Sequence, residues 1–275
     1  MTYATILVNL ESGRSNKHLL DAANMVAERF GARVIGSTAC TPIQILYGDV
    51  YAYGDVFEID RKEIASEIAR TEAEFRDAML HSPRGIEWRS AVVVTSLADH
   101  LANEARGADL VMIDGAPDGP SNAARRIEAG DLIMRVGRPV MVVAPSPAPI
   151  RLDRVLVAWK DTSQARRAAA DALPLLKRAN RVSLVEITAE DDLDASGRRL
   201  DDVAQWLGRH GVTADVHPTP ESGDDAAGLA AVADELDTDI IVAGAYGHSR
   251  VMEWALGGVT RTLLRHSDRT SFLSH

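Results

Sequence analysis

The sequence predicts an α/β protein made of two tandem repeats, each a five-stranded, mostly parallel sheet with helices on both faces. Two observations lead there. Short β-branched apolar runs alternate with segments of helical period, in the order β-α-β-α-β-α-β-α-β, and that order occurs twice. Local wording repeats as well: "RFGARVIGS" parallels "RANRVSLVE", and "GADLVMIDG" parallels "DTDIIVAGA". Apolar strands between helices must bury both sheet faces, which calls for parallel strands joined by right-handed crossovers. The Pro-rich stretch "SPAPIRLD" (146–153) reads as the joint, giving repeats over 1–146 and 152–275.

The first repeat opens with a strand over 4–10. The helix that follows carries Leu19, Leu20, Ala23, Val26, Ala27 and Phe30 on one stripe and stops at Gly31, a C-cap residue. Strands are predicted over 32–40, 87–94, 108–114 and 138–145, with helices over 61–80, 96–107 and near 122–136. The insert "TPIQILYGDVYAYGDVFEID" (41–60) reads equally as a lid or as a plain surface loop. In the second repeat, strands fall over 153–160, 181–188, 212–219, 238–245 and 271–275. Helices fall over 163–179, 200–211, 224–237 and near 255–266. Pro174 should bend or interrupt the first of these.

Composition narrows the function classes. The net charge is −10, from 40 acidic against 30 basic residues. A field of that sign repels nucleic acid and anionic lipid, so neither is an expected partner. A bound phosphate would have to be held locally, by backbone NH groups or a few cations. The single cysteine, Cys40, excludes an internal disulfide and a Cys-based zinc site, and it reads as a buried strand residue. Without a signal-like N-terminus or a long apolar run, a cytoplasmic location is expected.

The stretch "GAYGHSRVMEWALGGVT" (244–260) is the most informative. Gly244 follows a strand, at the end of the sheet where parallel α/β folds bind ligands. Gly257 and Gly258 precede a helical run, whose first NH groups are unpaired and carry the positive end of the helix dipole. Without Cβ atoms, those NH groups are open to an anion. Glycines between a strand and a helix are also common in α/β folds that bind nothing. The spacing is neither a Walker A loop nor G-x-G-x-x-G.

The spacing Gly, two residues, Gly, nine residues, Gly, then a small residue resembles the nucleotide loop of the universal stress protein family. The duplicated five-strand repeat also resembles tandem members of that family. The resemblance implies two Rossmann-like domains of the adenine nucleotide alpha hydrolase type, arranged as a pseudo-dimer in which "PVMVVAP" and "SFLSH" pair edge to edge. It further implies a stress-response module with ATP, with or without Mg2+, in the second repeat. Gly247, Gly257, Gly258 and Val259 would offer NH groups to phosphate, and Thr260 a hydroxyl. Gly244 would lie near the ribose, Ile187 would meet adenine through its backbone, and Ala243 would line the pocket. His248 stands beside Gly247, placed either against the ligand or on the surface.

Two positions depart from the family pattern. Lys160 stands where ATP-binding members usually carry an aspartate, and Gly258 where a serine is frequent. Lys160 either meets phosphate or faces solvent. Asp161 either substitutes for the aspartate or caps the next helix with Thr162 and Ser163. The first repeat has "VNLESG" after its first strand and "DGAPDGPSNAARRIEAGD" (114–131) in place of the glycine loop. Its acidic residues and prolines imply a degenerate site, with Arg125 and Arg126 left for some other anion.

No G-x-S-x-G elbow and no H-E-x-x-H pair occurs, and the eight histidines are scattered. The run "EDDLD" (190–194) reads as favourable charge at a helix start, and Trp159 and Trp254 as core. No general acid, base or nucleophile stands out, so slow ATP hydrolysis is the most catalysis expected. Three readings stay open: a nucleotide-binding module, a scaffold acting through a protein partner or homodimer, and an adenylyl-transferring enzyme of related fold. The last lacks its usual phosphate-binding histidine motif.

Overall fold

The structure, a computed structural model, describes residues 2–42, 54–115, 124–145, 149–245, 262–263 and 269–275. The chain forms two compact units. The first holds Tyr3–Asp114 and the described residues from Ala124 to Arg138; the second holds Pro139–His275 together with Thr2 and Gly115.

In the first unit the elements run β1 (Thr5–Asn9), α1 (Lys17–Phe30), β2 (Arg33–Cys40), α2 (Gly54–Ala78), β3 (Ile86–Val92), α3 (Leu97–Glu104), β4 (Leu110–Asp114) and α4 (Ala129–Val136). The strands are parallel, in the order β3-β2-β1-β4. Ile6, Leu7 and Val8 of β1 and Leu110, Val111 and Met112 of β4 are wholly buried, as strands covered on both faces require. Helix α1 ends where its sequence says, at Gly31 with φ 64°. Helix α2 begins at Gly54, inside the segment read as an insert, so part of that insert is helix. Residues 43–53 lie outside the described residues. Helix α4 is shorter than predicted, because Glu128 before it is extended (φ −69°, ψ 115°). Helix α2 settles onto β2 through one small residue. A Cβ on Gly36 would stand 2.8 Å from the Phe75 ring, which is fully buried there.

The second unit contains β5 (Val140–Val143), β6 (Arg154–Ala158), α5 (Ser163–Asp171), α6 (Leu173–Leu176), β7 (Arg181–Thr188), α7 (Leu193–Arg209), β8 (Asp215–Pro220), α8 (Asp225–Glu235), β9 (Ile240–Gly244) and β10 (Thr270–Ser274). Its strand order is β5-β10-β9-β6-β7-β8. All neighbours are parallel except β5 and β10, which pair antiparallel through Ser271↔Val142, Phe272↔Met141 and Leu273↔Val140. The last strand of the first repeat thus pairs with the last strand of the second, the edge-to-edge contact expected of "PVMVVAP" and "SFLSH". The pairing protects a strand edge on each side.

Pro174 acts as predicted. Helix α5 stops, and α6 starts afresh with the proline in its first turn, where no NH is needed. Helix α7 begins at Leu193, earlier than the periodicity suggested, with Glu190, Asp191 and Asp192 leading into it. That is favourable charge at a helix start. Strand β8 holds Pro218 and Pro220, residues tolerated on an edge strand. The predicted helix near 255–266 lies almost wholly outside the described residues.

Candidate functional site

In the second repeat, β6 is the pivot of the sheet. The chain leaves β6 through α5 toward β7 on one side, while β9 lies against its other side. Strand order reverses between β6 and β9, and ligands of open α/β sheets bind beyond the strand ends at such a point. Strand β6 ends in Ala158 and β9 in Ala243 and Gly244, with Ala158 and Ala243 in register. Small residues therefore line the ends of both strands.

The turn after β6 is tight. Trp159 N donates to Val185 O at 2.7 Å, and Thr162 N to Lys160 O at 2.6 Å. Thr162 then caps α5, its Oγ1 accepting from Ala165 N at 3.3 Å. Asp161 does not itself make the cap at this helix start, which Thr162 supplies. The Asp161 Oδ1 accepts from Arg166 at 2.5 Å, both side chains being largely exposed. Lys160 is exposed. Trp159 is 9% exposed, and its Nε1 has no hydrogen-bond partner among the described residues. Sequence reasoning assigned Trp159 to packing, which its burial supports; the orphaned NH has no sequence signal.

Gly244 has a structural duty of its own. A Cβ there would stand 2.4 Å from Ala165 N and 2.5 Å from Gln164 C, inside the first turn of α5. The glycine lets the helix start pass directly over the strand end. Ile187 lies further out, on the part of β7 that continues past the end of β6, and its Cδ1 faces Gly228 of α8. The structure thus gathers Lys160, Asp161, Thr162, Ala243 and Gly244 at the reversal point, with Ile187 on the adjoining strand. Gly247, His248, Gly257, Gly258, Val259, Thr260 and Trp254 lie outside the described residues.

The first repeat fills the equivalent point with charge. Strand β1 lies between β2 and β4, and β4 ends in Asp114 where β9 ends in Gly244. Asp114 accepts from Arg14 at 2.8 Å and meets His18 Nε2 at 2.8 Å. Arg14 also reaches Glu11 at 3.4 Å. Burial pushes the Glu11 carboxyl above its ordinary range, although Arg14 and Arg126 pull the other way.

Helix α2 adds two carboxylates from one face. Glu74 accepts from Asn16 N at 2.9 Å, Ser15 Oγ at 3.0 Å and Asn16 Nδ2 at 3.3 Å. Glu67 accepts from Arg125 Nε at 2.7 Å and from Ser12 Oγ at 3.4 Å. Ser12 Oγ is also 3.1 Å from the Cys40 thiol, which burial makes harder to ionise. A cleft of about 400 Å³ opens beside these groups, lined by Gly13, Arg14, Ser15, Glu67, Arg70 and Glu74 among others. The acidic and basic residues singled out in the sequence lay in the loop after β4; the partners from α2 carried no motif. Among the described residues, no His, Cys, Asp or Glu group is arranged to hold a metal ion. No helix of the described residues is long and apolar enough to cross a membrane.

Comparison with known proteins agrees with this architecture. Residues 151–270 match the family model described as "Universal stress protein family". A universal stress protein from Archaeoglobus fulgidus is similar in structure, with TM-score 0.69 and 16% identity, over 98% of this chain and 97% of that one. A functionally unknown protein from Pseudomonas aeruginosa is similar with TM-score 0.62 and 15% identity, over 99% and 92% of the two chains. A universal stress protein solved in complex with cAMP covers 45% of this chain and 96% of its own, at 22% identity and TM-score 0.38. No curated protein matches the sequence. The second repeat, residues 151–270, thus matches the universal stress protein family, and the tandem α/β fold of the whole chain is similar to that of a solved universal stress protein.

Proposed function

We propose that the second repeat binds ATP or a related adenine nucleotide at the reversal point between β6 and β9, and that occupancy, not turnover, is its output. The observation that carries this reading is the contrast between the repeats. Where the first repeat sets Asp114, Arg14 and His18, the second ends its strands in Ala158, Ala243 and Gly244. Trp159 supports it too, because a buried NH without a partner among the described residues calls for an acceptor. Lys160, exposed after β6, is a cation within the same turn. In this reading Gly247, Gly257, Gly258 and Val259 supply backbone NH groups and Thr260 a hydroxyl to the phosphates, with His248 beside them. Ile187 meets the base. Mg2+ would be held chiefly by the phosphates, since Asp161 is engaged with Arg166.

A second reading rests on Gly244. Its missing Cβ is explained by the packing of α5 alone, so a scaffold without nucleotide would need the same glycine. Mass spectrometry of nucleotide retained by the purified protein, with calorimetry against ATP and magnesium, separates the two. The nucleotide reading expects binding that Gly257→Val abolishes by blocking approach to the NH groups. No binding at millimolar ATP selects the scaffold, and equal affinity in Gly257→Val moves the ligand away from the loop.

A further inference from the structure

Arg125 is the most buried guanidinium among the described ion pairs, its side chain 5% exposed and that of its partner Glu67 13% exposed. Burying such a pair costs more than a surface pair returns unless the geometry is good and every remaining donor is used. Here the geometry is good. Arg125 Nε donates to Glu67 at 2.7 Å, and Nη1 donates to Thr41 O at 3.1 Å. Thr41 N in turn donates to Ala124 O at 2.9 Å, so the backbone beside Arg125 is pinned to the exit of β2. The guanidinium is thus held in place by contacts that do not involve Glu67.

Glu67 comes from the opposite wall. It reaches across from α2, takes the Arg125 hydrogen bond and the Ser12 hydroxyl, and lies against Gly13, where a Cβ would stand 3.1 Å from its Oε1. Four pieces of the first repeat meet there: the loop after β1, the exit of β2, the helix α2 and the segment before α4. Their common element is a carboxylate in contact with a fixed guanidinium and a hydroxyl donor, beside a cleft of about 400 Å³. A phosphate would want the same two donors, because a planar guanidinium suits carboxylate and phosphate oxygens alike.

We propose that Glu67 is an internal ligand that closes the first repeat: its carboxylate occupies the place of a small oxyanion of the phosphate class, held by Arg125 and Ser12. The first repeat is then a self-occupied site. Displacement of α2 is what would expose Arg125 to a phosphate-bearing ligand. Glu74, lower on the same helix face, holds Ser15 and Asn16 and keeps α2 seated.

The test uses the full chain carrying Gly257→Val, which removes the proposed loop of the second repeat from the readout. That parent is compared with versions also carrying Glu67→Ala, Glu67→Ser, Glu67→Gln, or Glu67→Ala with Arg125→Gln. Inorganic phosphate is titrated at constant ionic strength, read by calorimetry and by melting temperature. Glu67→Ala should bind phosphate at least about tenfold more tightly than the parent, the scale of one charge-assisted hydrogen bond. Its melting temperature should climb with phosphate, and both gains should vanish when Arg125 is replaced as well. A folded Glu67→Ala chain that responds to phosphate no more than its parent overturns the proposal. Glu67→Gln, which keeps the side-chain volume and so the filled place, should respond to phosphate far less than Glu67→Ala; if Glu67→Ala does not fold even in phosphate, Glu67→Ser decides by the same titration, since its short side chain leaves the place open. Retention of ATP by the chain with Gly257 intact is read separately, so failure of the nucleotide reading leaves this result standing.

Discussion

The Asp114 carboxylate lies 2.8 Å from His18 Nε2, tying the end of β4 to the second residue of α1. The second repeat places Gly244 and Gln164 at the same two positions and joins them by close packing. One repeat sets an ion cluster at its reversal point, and the other ends its strands there in small residues. The two reversal points therefore differ in charge and in side-chain bulk.

Gly244→Ala should therefore destabilise the chain before any ligand is considered. The added Cβ would overlap the backbone of Gln164 and Ala165, a contact that only a shift of α5 relieves. Overpacking of this kind costs about 1–3 kcal/mol. Denaturant unfolding of the unliganded protein measures it, and a variant as stable as wild type would mean that α5 is not seated as described.

The fold was legible because its signals are periodic. β-branched runs gave β1, β2, β6, β7 and β9, and Gly31 and Pro174 marked the end of α1 and the break between α5 and α6. The start of α2 was not legible, because Gly54 and the tyrosines before it read as loop. Of the candidate site, the turn of Lys160, Asp161 and Thr162 after β6 was legible because these residues are neighbours in sequence. The pairing of Asp161 with Arg166 competes with capping through an i,i+5 contact that no cap pattern encodes. The Arg125–Glu67 pair joins residues 58 apart in sequence, so only the folded chain reveals it.

Glu11 gives the first repeat a pH signature. Burial raises its folded pKa above the ordinary 4.5, against the pull of Arg14 and Arg126. A carboxyl with a raised folded pKa contributes its stability in full below the unfolded pKa and loses it as pH rises through the folded value. At neutral pH the charged Glu11 is thus a net cost. Glu11→Gln should be more stable than wild type at pH 7, and the difference should shrink toward zero as pH falls below 4.5. Denaturant midpoints across that range read it; a Gln variant weaker than wild type at pH 7 would reverse the sign.

Ser196 and Glu186 form the counterpart inside the second unit. Ser196 Oγ donates to Glu186 Oε2 at 2.7 Å, with Ser196 fully buried and Glu186 6% exposed. Arg199 gives the same carboxylate a second donor at 3.2 Å. Ser196→Ala removes a hydrogen bond to a charged group, worth about 1.5–3 kcal/mol. Thermal and denaturant unfolding should show that loss with the fold intact by circular dichroism, whereas a loss below about 0.5 kcal/mol would place the stabilisation in Arg199 instead.

Cys40, the single cysteine of the chain, reports on the closure formed by Arg125 and Glu67. Its side chain is wholly buried at the end of β2, in contact with Ser12, and burial makes the thiol harder to ionise. A thiol reagent can reach it only when the surrounding groups open, so the labelling rate follows the free energy of that opening. Removing one partner of a buried ion pair costs about 3–5 kcal/mol where nothing else compensates the remaining charge, and Asp60 near Arg125 makes the lower end apply here. Glu67→Ala should then label Cys40 about a hundredfold faster than wild type, taking the lower end of that range. Inorganic phosphate should slow the variant again by restoring an anion to Arg125. Arg199→Ala, in the other unit, should leave the rate unchanged. A Glu67→Ala rate equal to that of wild type would show that Cys40 is reached by another opening and that Glu67 does not lock this end of the repeat.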